Sequence, residues 1–389
     1  MNRWNMIPLH ALGQVVTGST PKTSEADFYG GSIPFVTPGD LHGFVPIEKT
    51  ERYLTQAGAS KARLLPEGSV MVSCIGLLGK VGVAGRAVAT NQQINSVIFG
   101  ESIFPRYGFY ACRTLAPELE RHSTSTTLPI VNKSRFADLE IPVPPLAEQK
   151  RIAATLDQVD ILRAKRRETI SLLDNLTQSI FLDMFGDGEW PVAPLSRVVR
   201  DGTVVTYGIV QAGEEFPGGV PYIRTGDIKR GQILTAGLRR TDPVIASKFD
   251  RSRVLAGDIV MSIRATVGTV APVPPDLDGA NLTQGTARIS PGALTQGIYL
   301  LEYLRSSKAQ FWIQNQVKGA TFREITLAKL RELEVPLPPM ALQNIFAERM
   351  QVVLGLRNAH SAHLAALDEL FESVQQRAFA GRLWDHEVT

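Results

Sequence analysis

Cysteine is nearly absent, with only Cys74 and Cys112 among 389 residues. Two are too few for a disulfide framework or a cysteine-rich zinc site, which points to a reducing compartment. Histidine is sparse as well, six in all. Only His360 and His363 have a ligand-like spacing, and no metal site is expected there. Long apolar runs are missing: none approaches the roughly 18 residues of a membrane span. The opening "MNRWNMIPLHALGQVV" has no apolar signal core, so a cytoplasmic chain without membrane attachment is expected. Strong charge of either sign is lacking too, the balance being +3 from 41 Lys/Arg and 38 Asp/Glu. Residues 1–145 carry 13 basic against 11 acidic side chains and residues 187–335 carry 18 against 15. That weak excess permits nucleic-acid binding without requiring it.

Catalytic motifs are also missing. "GLLGKV" (residues 76–81) is two residues too short between its glycines for a phosphate loop and has no Ser/Thr after Lys80. The double prolines sit in "VPPL", "VPPD" and "LPPM", none of them the Asn/Asp-Pro-Pro-aromatic arrangement of an amine methyltransferase. The chain therefore reads as a binder rather than an enzyme.

What the sequence does have is a repeat. Shifting the chain by 194 residues aligns 139–186 with 333–380 without a gap and gives 16 identities in 48 positions, where chance gives roughly three. Each copy opens on a proline-stiffened segment, "IPVPP" (141–145) or "VPLPP" (335–339), which must be extended because a residue before proline avoids the helical region. A helix-period run follows, predicted to cover about 35 residues or roughly 52 Å. Its expected apolar stripe is Ile152, Val159, Leu162, Leu173, Leu176 and Ile180 in the first copy. In the second it is Phe346, Val353, Leu356, Leu367, Leu370 and Val374. "FGDG" (185–188) and "FAGR" (379–382) supply stops. Two stripes of that length are most simply buried against each other as an antiparallel coiled coil.

The segments between the helices repeat more faintly. "IPFVTPGDLHG" (33–43) matches "VPYIRTGDIKRG" (220–231), and "LPEGSVMVSCIG" (65–76) matches "LAGDIVMSIRAT" (255–266). "VGVA" (81–84) is set against "VGTVA" (267–271), "NQQINSVIF" (91–99) against "TQGTARIS" (283–290), and residues 125–139 against 319–333. The expected fold class is α+β. Two similar globular α/β domains (1–145 and 187–335) are separated by two long helical regions (146–186 and 336–389) that form an antiparallel coiled coil, a pseudo-twofold internal repeat.

The pattern "IPVPPLAEQKRIAATLD", together with the run "GDL…GSVMVS…GKVG…NQ…LPIVNKSRFADLEIP", resembles the conserved regions of specificity subunits of type I restriction-modification systems. The resemblance spans essentially the whole chain. The second copy departs from it at Leu342, where Glu148 stands in the first, and at Asn344 and Ile345, which replace a basic pair. The resemblance implies that the globules are target-recognition domains for double-stranded DNA. It also implies a subunit without catalysis that recruits two adenine-N6 methyltransferase subunits, and restriction subunits for cleavage. No cofactor is expected in this chain. S-adenosylmethionine belongs to the methyltransferase partner, and ATP and Mg to the restriction partner. Because the loops of the two globules differ, an asymmetric bipartite target is expected, with the coil as the ruler between half-sites about one helical turn or a multiple apart.

Base edges are read by Arg/Lys, Asn/Gln and hydroxyl side chains carried on loops. The candidates in the first globule are Thr37, Asp40, Ser73, Lys80, Asn91, Gln92, Ser125, Thr126 and Lys133. In the second they are Arg224, Thr225, Asp227, Lys229, Arg230, Arg264, Gln284, Lys318, Thr321 and Arg323. For each, a turn cap or surface ion pair is the alternative, above all for Asp40 and Asp227, which follow glycine in a turn. Lys22, Arg239 and Arg240 read as phosphate contacts, which position without specifying. Arg264 is the foremost base reader. Arg151, Arg163, Arg167 and Glu168 are placed on the outer helix faces, toward partner subunits or solvent. Two other readings stay open: a coiled-coil scaffold that binds no DNA, and the recognition subunit of a different restriction-modification class.

Overall fold

The computed structural model describes residues 4–123, 128–319 and 323–384. The chain divides into a first unit, residues 1–168 with 361–389, and a second unit, residues 169–360. The division falls inside each long helix, so each unit owns one half of each.

The first unit carries two four-stranded sheets. One runs in the order Gly13–Thr17, Ile94–Phe99, Val70–Ser73, Val81–Val83, all antiparallel. The other orders Tyr53–Leu54, Tyr29–Val36, Val88–Thr90 and Leu64–Leu65, with Phe35 and Ala89 in parallel register. The second unit repeats the first sheet and keeps three strands of the second. Thr206–Tyr207, Thr286–Ile289, Ile259–Ser262 and Val270–Pro272 make one sheet, and Arg240–Thr241, Val220–Ile223 and Asn281–Leu282 the other, with Tyr222 parallel to Asn281. The strands Val70–Ser73 and Ile259–Ser262 are buried along their whole length, so the apolar residues of each run consecutively and the buried serine that ends it is hydrogen-bonded.

The proline-rich segments are extended, as the pre-proline restriction demands. Glu140–Val143 pairs antiparallel with Asn5–Pro8, and Glu334–Pro336 with Val192–Pro194. The two helices that follow, Leu146–Phe185 and Met340–Phe379, are 40 residues each, longer than the 35 expected. The extra turns come first, because both helices start directly after the double proline. Gln149 N–H donates to Pro145 O at 3.0 Å, and Leu342 N–H to Pro339 O at 2.9 Å.

Within each unit the helix halves pair antiparallel. Ile152, Leu156 and Val159 share the first core with Phe371, Ala378 and Phe379. Phe181 and Phe185 share the second with Phe346, Met350 and Val353. The predicted stripe needs correction at four positions. Leu162, Leu176, Leu356 and Leu370 are 48, 43, 50 and 47% exposed, because the buried seam runs through Leu156, Phe181, Met350 and Phe371 instead.

Arg163 also departs from the outer face. It is 13% exposed, donates from Nε to Asp368 at 2.6 Å, and bonds Asp160. In the other unit Arg357 Nε donates to Asp174 at 2.7 Å. Under the 194-residue shift Arg163 becomes Arg357 and Asp368 answers Asp174, so one bond is written twice. No helix is long and apolar enough to cross a membrane among the described residues.

Candidate nucleic-acid interface

In the first unit the parallel register of Val36 with Thr90 sets two strand ends side by side, and Asn91 N–H donates to Val36 O at 3.1 Å. The neighbouring turn joins them: Cys74 N–H donates to Gln93 O at 2.8 Å, and Val131 N–H to Cys74 O at 2.9 Å. These bonds gather the loops that carry Thr37, Asp40, Ser73, Lys80, Asn91 and Gln92. The Lys80 ammonium stands 3.5 Å from Pro38 O. Lys133 is exposed at the start of Lys133–Ala137, a turn capped by Asn132. Ser125 and Thr126 lie outside the described residues.

Several of these side chains are committed to holding the loops. Asp40 Oδ2 accepts from Thr37 N–H at 2.8 Å and from its hydroxyl at 2.7 Å. Ser73 is fully buried, donating to Leu77 O and accepting from Lys80 N–H at 2.9 Å. Asn91 is 9% exposed and exchanges bonds with Gln93. Gln92 accepts from Thr20.

The second unit repeats the arrangement bond for bond. Thr283 N–H donates to Ile223 O at 3.2 Å, Ile263 N–H to Gly285 O at 2.9 Å, and Ile325 N–H to Ile263 O at 3.0 Å. Asp227 Oδ2 accepts from Arg224 N–H at 2.8 Å and Asp227 also holds the Arg224 guanidinium through Nε and Nη2. That pairing raises the Arg224 pKa. A Cβ at Gly285 would stand 3.0 Å from Thr225 Cγ2 and 4.0 Å from Arg264 Cβ, so glycine lets these loops close up. Arg264 forms an isolated bridge with Glu324, which bridges Lys318 in turn. Arg264 Nε also donates to the Glu324 carboxylate at 3.1 Å, with both side chains 47% exposed. A pair this exposed adds at most about 1 kcal/mol. It orients the guanidinium, which has five donors and spends one here.

Arg323 donates to Gln314 at 2.6 Å. Gln284 is half-buried, and its backbone N–H donates to Ile209 O at 2.9 Å. Lys229 and Arg230 sit on the exposed hairpin Ile228–Lys229 with Gln232–Ile233, whose turn places Arg230 at φ 51°. Thr321 lies outside the described residues. Among the phosphate candidates, Lys22 and Arg239 are exposed and Arg240 donates to Gly219 O at 2.8 Å.

One alignment of the sequence repeat shifts. Gly79 N–H donates to Ser73 O at 3.0 Å and Gly268 N–H to Ser262 O at 2.9 Å. Gly79 therefore answers Gly268, and Val81 answers Val270 rather than Val267. The same register sets Gly76, at φ 78°, against Ala265, at φ 57°. An L-residue spends about 1–2 kcal/mol in that left-handed region.

Residues 1–172 and 209–365 match the family described as Type I restriction modification DNA specificity domain. This chain belongs to that family. The first matched stretch falls largely within the first unit and the second largely within the second. The chain is 24% identical over 415 residues to the EcoBI specificity subunit of Escherichia coli, covering 98% of this chain and 86% of that protein. It is 28% identical over 231 residues to the MjaIX specificity subunit of Methanocaldococcus jannaschii, covering 58% of this chain and 51% of the other. The fold is similar to that of the S subunit from M. genitalium, with TM-score 0.56, 14% identity and 97% and 96% of the two chains covered. A chain from a structure addressing assembly and conformational transition of the type I R-M system has TM-score 0.56, 19% identity and 98% coverage of both.

Three features of the specificity domains escaped the sequence reading. The glutamine of each Pro-Pro-Leu/Met-x-x-Gln motif is buried, Gln149 at 0% and Gln343 at 1% exposure. Gln149 accepts from Phe104 N–H at 2.8 Å and donates to Ser102 O and Pro144 O, both at 2.9 Å. Gln343 repeats this with Gln296 N–H, Leu294 O and Pro338 O. The motif was legible, but not that its glutamine fastens helix to domain. The second feature is Arg106, which bonds Asp157 and Phe44 O and so ties a loop to the first helix. The third is Glu324, invisible because 60 residues separate it from Arg264. Among the described residues no group of three or more His, Cys, Asp or Glu could hold a metal ion.

Proposed function

We propose that this chain is the non-catalytic, DNA-reading subunit of a cytoplasmic type I restriction-modification complex, each unit reading one half of an asymmetric bipartite duplex. The observation that carries the reading is a scaffold reproduced bond for bond with different side chains at the same loop tip. Arg264 and Glu324 stand in one unit where Ile75 and Ile130 stand in the other. A duplicated frame with divergent tips suits two different half-sites. Arg264 would read guanine through O6 and N7, the commonest base contact of arginine. Lys22, Lys133, Lys229, Arg239 and Lys318, exposed around these loops, would meet phosphates.

Partner recruitment belongs to the helices. Leu162 and Leu370 are exposed on the first unit's helix pair, and Leu356 and Leu176 on the second's. The 194-residue shift converts one pair into the other. Two equivalent apolar patches support two copies of one partner, the adenine-N6 methyltransferase subunits, with restriction subunits joining for cleavage. S-adenosylmethionine would be held by the methyltransferase, and ATP and Mg by the restriction subunit, none by this chain.

The test is co-expression with the partner methyltransferase in a methylation-free host, followed by mapping of N6-methyladenine. A split asymmetric motif that appears only with the chain is expected. Arg264→Ala should then relax one base position by about 1–3 kcal/mol. A uniform loss across sequences would make Arg264 a phosphate contact instead. A stable complex without chain-dependent methylation would favour the scaffold reading.

A further inference from the structure

We infer that the first unit reads a thymine methyl group at the place where the second unit presents arginine, so that its half-site contains, besides the adenine that is methylated, an A·T pair beneath Leu77 and Leu128. The inference rests on the DNA-reading function proposed above and adds the chemical class of one half-site. Its starting point is the equivalence of the two loop tips. Ile75 bridges Ile130 in the first unit, and Arg264 bridges Glu324 in the second. An aliphatic pair thus replaces an ion pair on the same backbone. Beyond it the first unit exposes Leu77 at 68% and Leu128 at 51%; the sequence sets apolar Phe322 against Leu128, so Leu77 is the position that differs. The residue equivalent to Leu77 is Thr266, by the Gly79 to Gly268 register.

These leucines are held in place. The carbonyl of Leu77 accepts from the fully buried Ser73 hydroxyl. Gly76 N–H donates to Pro129 O at 2.9 Å. A Cβ at Gly76 would lie 4.0 Å from Leu128 Cδ1, so Leu128 stands over the turn that carries Leu77.

The chemistry then selects the base pair. The C5-methyl of thymine is the one apolar group on the major-groove edge of DNA. Guanine offers two acceptors there, and an aliphatic side chain pressed on them strips water without returning a hydrogen bond. The leucines therefore favour A·T and penalise G·C, while the arginine tip of the second unit does the reverse. Lys80 and Lys133, on flanking segments of the same unit, supply the cations that hold the backbone.

The experiment uses the full chain in complex with its methyltransferase partner and duplexes carrying the mapped motif. Replacing thymidine by deoxyuridine in the first unit's half-site removes only the methyl group. Wild type should bind the deoxyuridine duplex about fourfold more weakly, the worth of one buried methyl. The double variant Leu77→Ser, Leu128→Ser should bind both duplexes alike, and both substitutions are at exposed positions. In methylation mapping the variant should accept more than one base at that position and leave the other half-site unchanged. A first-unit half-site with no A·T pair besides the one that carries the methylated adenine would overturn the inference. So would equal deoxyuridine sensitivity of variant and wild type, or loss of partner binding, which would make the patch a protein contact. If no chain-dependent motif exists at all, the DNA-reading function itself fails, and that outcome is distinguishable from the others.

Discussion

Replacing Gln149 by alanine removes a side chain that satisfies three backbone groups at once. Pro144 O is buried in its bond to Nε2, and Phe104 N–H is partly buried in its bond to Oε1. Ser102 is exposed, so its carbonyl turns to water. Two groups are left short of a partner, at about 1–3 kcal/mol each when fully buried. Partial access for one of them brings the sum to about 2–3 kcal/mol. The loss falls where the first long helix leaves its domain and acts on local opening before global unfolding. Hydrogen exchange read by mass spectrometry resolves this. Amides in residues 103–107 and 146–150 should exchange about 30- to 150-fold faster, at 1.4 kcal/mol per factor of ten. The equivalent segments of the second unit, 295–299 and 340–344, should not change. Gln343→Ala should give the mirror image. Gln149→Glu should be worse than alanine, because it sets an anion against two carbonyls and deletes both donors. A change below threefold at residues 103–107, or equal changes in both units, would refute the view that this glutamine fastens helix to domain.

The ion pairs of the helices predict unequal effects at equivalent positions. Arg163→Ala leaves Asp160, 4% exposed, with Arg113 alone, and should cost about 2 kcal/mol. Arg357→Ala frees only the half-exposed Asp174 and should cost less than about 1 kcal/mol. Equal shifts in urea midpoint at constant slope would contradict this. Burial raises the pKa of Glu302 above its ordinary 4.5, against the pull of Arg305. A carboxyl raised on folding contributes most stability below its unfolded pKa and loses it as pH rises through the folded value. Glu302→Gln should therefore gain on wild type as pH rises above the ordinary carboxyl value of 4.5, and a pH-independent difference in urea stability would exclude the effect. Burial likewise pushes the thiols of Cys74 and Cys112 up to about 11 and about 12. Neither should react with a thiol reagent at pH 8 until the chain is denatured, when both should. Labelling of the native chain would refute that placement.

Local rules made much of this molecule legible. The Gly-Asp turns could be read because Asp40 reaches Thr37, and Asp227 reaches Arg224, only three residues away. The long helices could be read because period, proline hinge and glycine stop all lie along one segment. What could not be read depends on partners far along the chain. Leu162 and Leu156 fit the helical period about equally well, yet one is exposed and the other buried. Phe371 takes the seam position, with the guanidinium of Arg113 at 4.7 Å and that of Arg163 at 4.5 Å from its ring. No periodicity contains that arrangement. The interface divides along the same line. Its loops were located by turn signals, but only the register across 60 residues shows that Glu324 orients Arg264.

The duplicated ion pair explains why one chain can carry two unlike specificity domains. Arg163 lies in the first repeat and its partner Asp368 in the second, whereas Arg357 lies in the second and its partner Asp174 in the first. In a parallel pairing of the repeats, equivalent residues would align, and Arg163 would face Arg357 rather than a carboxylate. Antiparallel pairing makes each bond heterologous, so a single sequence motif satisfies itself twice. The buried glutamines behave the same way, each fastening its own domain to its own hinge. The tips that carry Arg264 and Leu77 are joined to the rest of their own domains by backbone bonds common to both units, such as Ile263 N–H to Gly285 O and Cys74 N–H to Gln93 O. None of those bonds involves the side chains at the tips. Tip residues can therefore change in one unit at little cost to the frame and none to the other unit, which is what two independent half-sites require.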